Sequence, residues 1–163
     1  MLRAQLLFAR GCLGASSVDL RAATAGDASS IRSLLEAGDL PTNDLSTSSP
    51  QFVVACDVEN RIVAAGGLQT LGDSALLRSV VVTPELRGTG LGQRVVRELE
   101  RIARVAQVRQ LALLTLTAER FFERQGYRVI ARQDVPEALQ RTEEFQSLCP
   151  ASAVCMTKSL ADT

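Results

Sequence analysis

Residues 76–105, Leu76-LRSVVVTPELRGTGLGQRVVRELERIAR-Val105, decide the fold. The stretch opens on a run of β-branched and aliphatic residues, is broken by Pro84, passes through Arg87-Gly88-Thr89-Gly90-Leu91-Gly92 and continues as a long helical pattern. That order predicts a strand running into a glycine-rich turn and then into a helix. On the helix Leu91, Val95, Leu99, Ile102 and Ala106 share one face, while Arg94 with Glu98 and Glu100 with Arg104 make i,i+4 pairs away from it.

Glycine in such a turn lets the backbone approach a ligand closely and take a positive φ at little steric cost. The turn's amides, the unpaired N–H groups of the first helical turn and the positive end of the helix dipole together make a site for phosphate or pyrophosphate, and Arg87 adds a fixed positive charge at its entrance. Two familiar phosphate motifs do not fit. A P-loop ends in Gly-Lys-Ser/Thr where this chain has Gly92-Gln93-Arg94, and the dinucleotide fingerprint needs a third glycine at position 93, which is Gln93. The pattern that does fit is Arg-x-x-Gly-x-Gly after a strand ending in Val-x-Pro, here Arg87, Gly90 and Gly92 after Val82-Thr83-Pro84. This resembles the acetyl-CoA pyrophosphate loop of the GNAT superfamily of N-acetyltransferases. A glycine-rich loop without a ligand is the bland alternative, and the agreement of strand, proline, arginine, spaced glycines and amphipathic helix argues against it.

At 163 residues the chain is expected to form one domain, over residues 18–160, with a core of its own and one site. Basic and acidic residues balance at 18 each and aromatics make up 4%, so neither a positive field nor stacking platforms point to nucleic acid. There is no histidine, which removes Ser-His-Asp and Cys-His machinery and most zinc sites; no metal is expected. A proton acceptor must then be a carboxylate, a water or the substrate's own amine. The four cysteines, Cys12, Cys56, Cys149 and Cys155, form no C-x-x-C pair and suit buried thiols in a reducing cytoplasm. No apolar run approaches the ~20 residues of a membrane span. Residues 1–17 hold two arginines and no acid, and read as an N-terminal extension or as a weak targeting peptide.

Along the rest of the chain, Val18 to Ala22 alternates as a half-buried strand, and Thr24 with Asp27 starts a helix carrying Ile31, Leu34 and Leu35 to Gly38. Residues 39–50 read as a loop or short broken helix. Gln51 to Cys56, Arg61 to Leu71 and residues 75–83 form an antiparallel meander. Gln110 to Thr117 is a strand that the helical crossover makes parallel to the last of these. A short helix from Ala118 to Arg124, a strand from Tyr127 to Arg132, helical spacing over Pro136 to Phe145 and a final strand from Ala153 to Leu160 complete the pattern. This is an α/β protein, a mixed sheet of about seven strands with helices on both faces.

The order resembles the GNAT fold from Val18 to Leu160. The resemblance implies a splay between the fourth and fifth strands that admits the acyl-pantetheine arm of acetyl-CoA, the cosubstrate. Val80, Val81 and Val82 are then the backbone contacts of that arm, and Arg87, Gly88, Thr89, Gly90, Leu91 and Gly92 hold the pyrophosphate. The stretch 117–127, TAERFFERQGY, resembles the superfamily's second signature, whose helix lies along the cofactor. Phe122 stands where many relatives carry a tyrosine general acid, and Tyr127 reads as a packing residue. Protonation of the leaving thiolate is left to a water or to a hydroxyl such as Thr115 or Thr117, both of which also read as plain strand residues.

Arg78 stands out inside an apolar strand, two residues before Val80 and, in a regular strand, on the same face as Val80 and Val82. A guanidinium there needs a negative partner, either an acidic substrate group or a salt bridge to Asp73 or Glu119. Glu119 and Asp73 are the candidate proton acceptors, although a Gly-Asp turn and the first turn of a helix already account for both. Leu76-Leu77-Arg78-Ser79, Thr142-Glu143-Glu144-Phe145, the tract Ser147 to Met156 and the loop at Leu40-Pro41-Thr42 resemble the arsenic-resistance branch of the superfamily. That implies an α-amino-acid acceptor, or an arsenical analogue, with Arg78 at its acidic head and Asn43, Phe145 and Ser147 near it. A metalloid site at Cys149 and Cys155 lacks a third thiolate. The expected activity is acetyl-CoA-dependent N-acetyl transfer by direct attack on the thioester. The alternative is a non-catalytic acyl-CoA-binding regulatory module. Edge strands of such sheets often pair between chains, which leaves a homodimer open.

Overall fold

The computed structural model describes residues 17–161. The expected N-terminal extension lies outside them except for Ser17, as does Cys12. The elements are β1 (Asp19–Ala22), α1 (Ala28–Ala37), α2 (Leu45–Ser48), β2 (Gln51–Cys56), β3 (Ile62–Leu71), β4 (Ser74–Val82), α3 (Leu91–Val105), β5 (Gln110–Thr115), α4 (Glu119–Arg124), β6 (Arg128–Val129), α5 (Glu137–Gln140) and β7 (Val154–Ser159). They build one seven-stranded sheet in the order β1-β2-β3-β4-β5-β7-β6. Every neighbouring pair is antiparallel except β4 with β5. The α/β architecture and the mixed sheet of seven strands are as the sequence led us to expect.

Local chemistry explains where the elements start and stop. Asp27 accepts the Thr24 N–H at 2.7 Å and is gripped by Arg21, a capping arrangement that opens the first helical segment. Asp57 accepts from the amides of Glu59 and Arg61, both at 2.9 Å, and closes the β2–β3 turn. The β3–β4 hairpin turns at Gly72, whose φ is 68°.

The crossover through α3 makes β4 and β5 parallel, and they pair only over Ser74–Leu76 against Gln110–Ala112. Beyond that the two strands part, since β5 continues its ladder with β7 as far as Thr115 against Val154. The expected splay between the fourth and fifth strands is therefore present.

Helices cover both faces. Under α3 and α4 lies the main core, with Leu77, Val95, Val96, Leu99, Leu111, Leu113 and Phe122. On the other face α1 covers Ile31, Leu35, Val54 and Val81, and α5 covers Leu76, Leu139, Phe145 and Cys155. Burial of each of Leu77, Leu99 and Leu111 is worth about 2 kcal/mol.

Several expectations need correction. The buried stripe of α3 is Leu91, Val95, Val96, Leu99, Glu100 and Ala103, with Ile102 half-buried and Ala106 exposed. Glu98 pairs with Arg101 at 2.7 Å rather than with Arg94, whose guanidinium donates to the Val18 carbonyl. Glu100 faces inward because Lys158 of β7 meets it at 2.8 Å, leaving Arg104 at 3.8 Å as a weaker partner. β5 stops at Thr115, whose hydroxyl accepts the Ala118 N–H at 3.0 Å and so opens α4. The strand expected over 127–132 is only Arg128–Val129, because Arg132–Asp134 turns into a 3-10 segment. The helix expected over 136–145 splits into α5 and a π-helical turn, Glu144–Leu148.

Candidate active site

The parted ends of β4 and β5 open into a cleft of about 500 Å³, lined by Val80, Val81 and Val82 on one wall, Arg87, Gly88, Gly90 and Gly92 at its mouth, and Phe121 and Phe122 of α4 on the other. Among the cofactor residues expected from the sequence, this cleft gathers Val80, Val81, Val82, Arg87, Gly88, Gly90, Gly92 and Phe122. Thr89 and Leu91 complete the same loop without lining it.

The loop's shape comes from backbone handedness. Gly88 and Gly90 have φ of 76° and 85°, and Gly90 is the N-cap of α3. A Cβ placed at Gly90 would meet nothing of the described residues within 4 Å, so among them the space before the helix end is open. Thr89 donates to the Leu86 carbonyl at 2.6 Å, Arg87 Nε donates to the Val82 carbonyl at 3.2 Å, and the buried Leu91 anchors the helix start. The amides of Leu91, Gly92 and Gln93 have no intrahelical acceptor and point out of the helix end. Open space, unpaired amides, the helix dipole and an exposed arginine fit a diphosphate.

The far wall is held by a buried network. Phe122 packs edge-to-face on Phe121 and Tyr127, with centroids 5.0 and 5.5 Å apart. Tyr127 donates to Glu100 at 3.1 Å, and Lys158 donates to both Glu100 oxygens and to the Gln125 carbonyl. Burial, reinforced by the Glu100 charge, pushes the Tyr127 phenol above its ordinary range. Tyr127 is thus a packing residue whose hydroxyl faces α3 and not the cleft.

On the opposite face of β4 lies a second constellation. Ser79 has φ of 57° and the β3–β4 register slips there, pairing Ala65 with Val81 but Gly67 with Arg78. The inserted residue reverses the alternation: Leu77, Val80 and Val82 pack toward α3, whereas Leu76, Arg78 and Val81 face the side of α1 and α5. Arg78 therefore does not share a face with Val80 and Val82, as a regular strand would have it. It is 3% exposed and held by Asp44, the N-cap residue of α2, with Nη2 2.7 Å from Oδ1 and Nη1 on Oδ2. Its Nε lies 3.1 Å from Glu144 Oε2, but that N–H points at Ser79 Oγ, and among the described residues Oε2 is left buried without a hydrogen bond. Cys149 donates to Glu144 Oε1 at 3.7 Å.

Electrostatics follow the packing. Burial acts to raise the Asp44 carboxyl, but the hydrogen bonds and charge of Arg78 hold it below the usual range. Burial raises Glu144, with the Asp44 charge adding to it and Arg78 opposing. Burial and the Glu144 charge push the Cys149 thiol up to about 12, and burial takes Cys155 to about 11, so both are thiols at neutral pH.

The remaining sequence candidates are dispersed. Asn43 and Ser147 are exposed, and Ser147 donates to the Glu143 carbonyl. Phe145 is buried beneath α5. Glu119 sits half-buried in the first turn of α4 and forms no ion pair among the described residues; Asp73 is exposed in its turn. Neither of them meets Arg78. Sequence reading missed Asp44, Glu144 and Ser79 as members of the site. For Glu144 the signal was its place in the Thr142-Glu143-Glu144-Phe145 tract. For Asp44 it was an acid directly before Leu-Ser-Thr-Ser.

The family model of the acetyltransferase (GNAT) domain matches residues 48–129. An amino-acid acetyltransferase of Mycobacterium tuberculosis is 32% identical over 94 residues, which are 57% of this chain and 51% of that protein; the chain spans about half the length of this curated relative. Among solved structures, Rv2747 of Mycobacterium tuberculosis, in complex with CoA, superposes with a TM-score of 0.74 at 25% identity, covering 87% of this chain and 99% of that one. N-acetylglutamate synthase of Neisseria gonorrhoeae, in complex with coenzyme A and L-arginine, gives 0.74 at 19% identity over 89% of this chain and 34% of that chain, a likeness of fold.

Proposed function

Because the chain belongs to the GNAT acetyltransferase family, we propose that it moves the acetyl group of acetyl-CoA onto the amine of a small molecule. The acceptor we infer is the α-amine of an amino acid or of an arsenical amino-acid analogue, attacking the thioester directly. The observation that carries this is the cleft where β4 and β5 part, with an anion-binding helix end at its mouth and backbone edges along its wall. A relative named for amino-acid acetylation supports the acceptor class.

Bound acetyl-CoA supplies an activated acyl group. The amides of Gly88 to Gly92, with Thr89 and Leu91 fixing the loop and Arg87 adding charge, grip the pyrophosphate. Val80, Val81 and Val82 direct the arm, and Phe122 packs along it. Thr115 accepts from Ala118 and keeps its own proton free to donate toward the leaving sulfur, and Glu119 follows in the first turn of α4. We assign the acceptor side to the face of β4 that carries Arg78, with Asn43, Phe145 and Ser147 as further candidates on it. We assign the activity to a single domain, residues 18–160, working in the cytoplasm.

Release of free thiol from acetyl-CoA, followed with a panel of amino acids, tests this. Release that depends strictly on the amine is the expected outcome. Acetyl-CoA binding without any release would instead establish a non-catalytic acyl-CoA-binding module.

A further inference from the structure

We propose that Glu144 binds the acceptor's ammonium group and takes its proton, within the buried cluster of Arg78, Asp44 and Glu144 behind the Ser79 bulge; this rests on the acetyltransferase reading above. The charges come first. One guanidinium meets two carboxylates, and Asp44 spans both terminal nitrogens of Arg78, with Ser48 Oγ a longer second acceptor from Nη1 at 3.4 Å. What the cluster lacks is a donor carrying positive charge, and not an anion.

Glu144 shows where that donor belongs. The residue is 5% exposed; among the described residues its Oε1 accepts only from a thiol, and its Oε2 has no hydrogen bond although Arg78 Nε lies 3.1 Å away. A buried carboxylate oxygen left so is costly, and such groups persist where a ligand completes them. An ammonium offers three donors, one of which satisfies Oε2.

Two backbone anomalies coincide at the same place. Ser79 holds a left-handed φ of 57°, at a cost of about 1 kcal/mol, and Glu144 opens a π-helical turn. Ser79 alone separates Arg78 from Val80, which lines the cofactor cleft, so the bulge joins the two constellations. The charged and titratable groups around Glu144 are Arg78 from β4, Asp44 from the start of α2 and Cys149 after the π turn. Their balance with burial makes this carboxylate more basic than an exposed one, as a general base near neutral pH requires.

The proton and electron balance is simple. The ammonium gives one proton to Glu144, and the freed lone pair forms the C–N bond to the acetyl carbon. The C–S bond breaks with its pair on sulfur, the second nitrogen proton ends on that sulfur, and Glu144 returns its proton to water.

Glu144→Gln keeps the shape and removes the base. With the amino acid that the wild-type chain turns over fastest, kcat should fall about 10²–10⁴-fold and the rise of kcat/KM with pH should disappear, while the calorimetric Kd for acetyl-CoA stays within about twofold. A readout without turnover is urea unfolding from mildly acid to mildly alkaline pH. A carboxyl raised by folding contributes stability below its unfolded value that is lost as pH rises through the folded one, and the variant should lack that decline. Should Glu144→Gln fail to fold, Glu144→Asp carries the test: it keeps a pH limb but raises the acceptor KM. A variant that turns over within about threefold of wild type on an unchanged pH profile overturns this role and leaves the activity standing. A wild-type chain that binds acetyl-CoA and acetylates no amine overturns both.

Discussion

Asp44 and Arg78, 34 residues apart in the chain, form a buried two-point ion pair between the start of α2 and the bulge of β4, each side chain 1% exposed. The pair fixes an otherwise polar loop to the sheet at the point where the strand changes face. Removing Asp44 takes the acceptor from both terminal nitrogens of a buried guanidinium and leaves it only Glu144, at Nε, as counter-charge. We therefore expect Asp44→Asn to lose about 3 kcal/mol in urea unfolding at neutral pH. Folding holds the Asp44 carboxyl low, so its contribution is present above the unfolded value near ~4 and is lost as pH falls through the folded one. Wild type and variant should accordingly converge in acid. The double variant Arg78→Met with Asp44→Leu should cost less than the sum of the two single changes by at least about 1 kcal/mol.

The loop before α3 makes a separate prediction. Gly90 takes φ of 85° in open space, so Gly90→Ala meets a backbone penalty of about 1 kcal/mol and no clash. Gly90→Glu adds a negative charge where a diphosphate is to be held. Calorimetry should show acetyl-CoA binding weakened in the alanine variant and abolished in the glutamate variant, with circular dichroism unchanged for both. Equal affinity in Gly90→Glu and wild type would remove the pyrophosphate from this loop.

The strand, loop and helix of residues 76–105 were legible because each level of pattern agreed: apolar run, proline, glycine spacing and helical period. What escaped reading depended on partners distant in the chain. Glu100 looks like a surface acid by its spacing, yet Lys158, 58 residues on, draws it inward. Asp44 sits in a polar tract that any loop might have, and only the folded chain brings Arg78 to it. The bulge is carried by a serine rather than by glycine or asparagine, so nothing in the local sequence signalled the positive φ that sends Arg78 to the opposite face from Val80. The short β6 and the π turn are likewise set by packing around β7, which no local window contains.

The Glu100 network should prove structural. Glu100→Gln keeps the volume but weakens the bonds from Lys158 and Tyr127 that pin the end of α4 to β7. Lys158 is about one-fifth exposed, which discounts the loss to about 2 kcal/mol, or a fall in Tm of about 5 °C. Acetyl-CoA affinity should change little, since Phe121 and Phe122 remain packed on one another. A large loss of affinity without loss of Tm would place Glu100 in the cofactor site instead.

Gly66 of β3 sets how closely α3 lies on the sheet. A Cβ there would stand 2.7 Å from Val95 Cγ1 and 2.8 Å from Leu99 Cδ1, two fully buried side chains of the helix. Neither can swing into solvent, so Gly66→Ala must lift the helix or force poor rotamers, at about 1–3 kcal/mol. The N-terminus of that helix is the end proposed to meet the pyrophosphate. A lift should therefore weaken acetyl-CoA binding severalfold as well as lower Tm, although Gly66 itself lies behind the cleft wall. Adding Val95→Ala removes the methyl group nearest the new Cβ and should restore part of both losses. If Gly66→Ala lowers Tm while leaving affinity untouched, the helix end is held by the loop alone and not by the seating of α3 on β3.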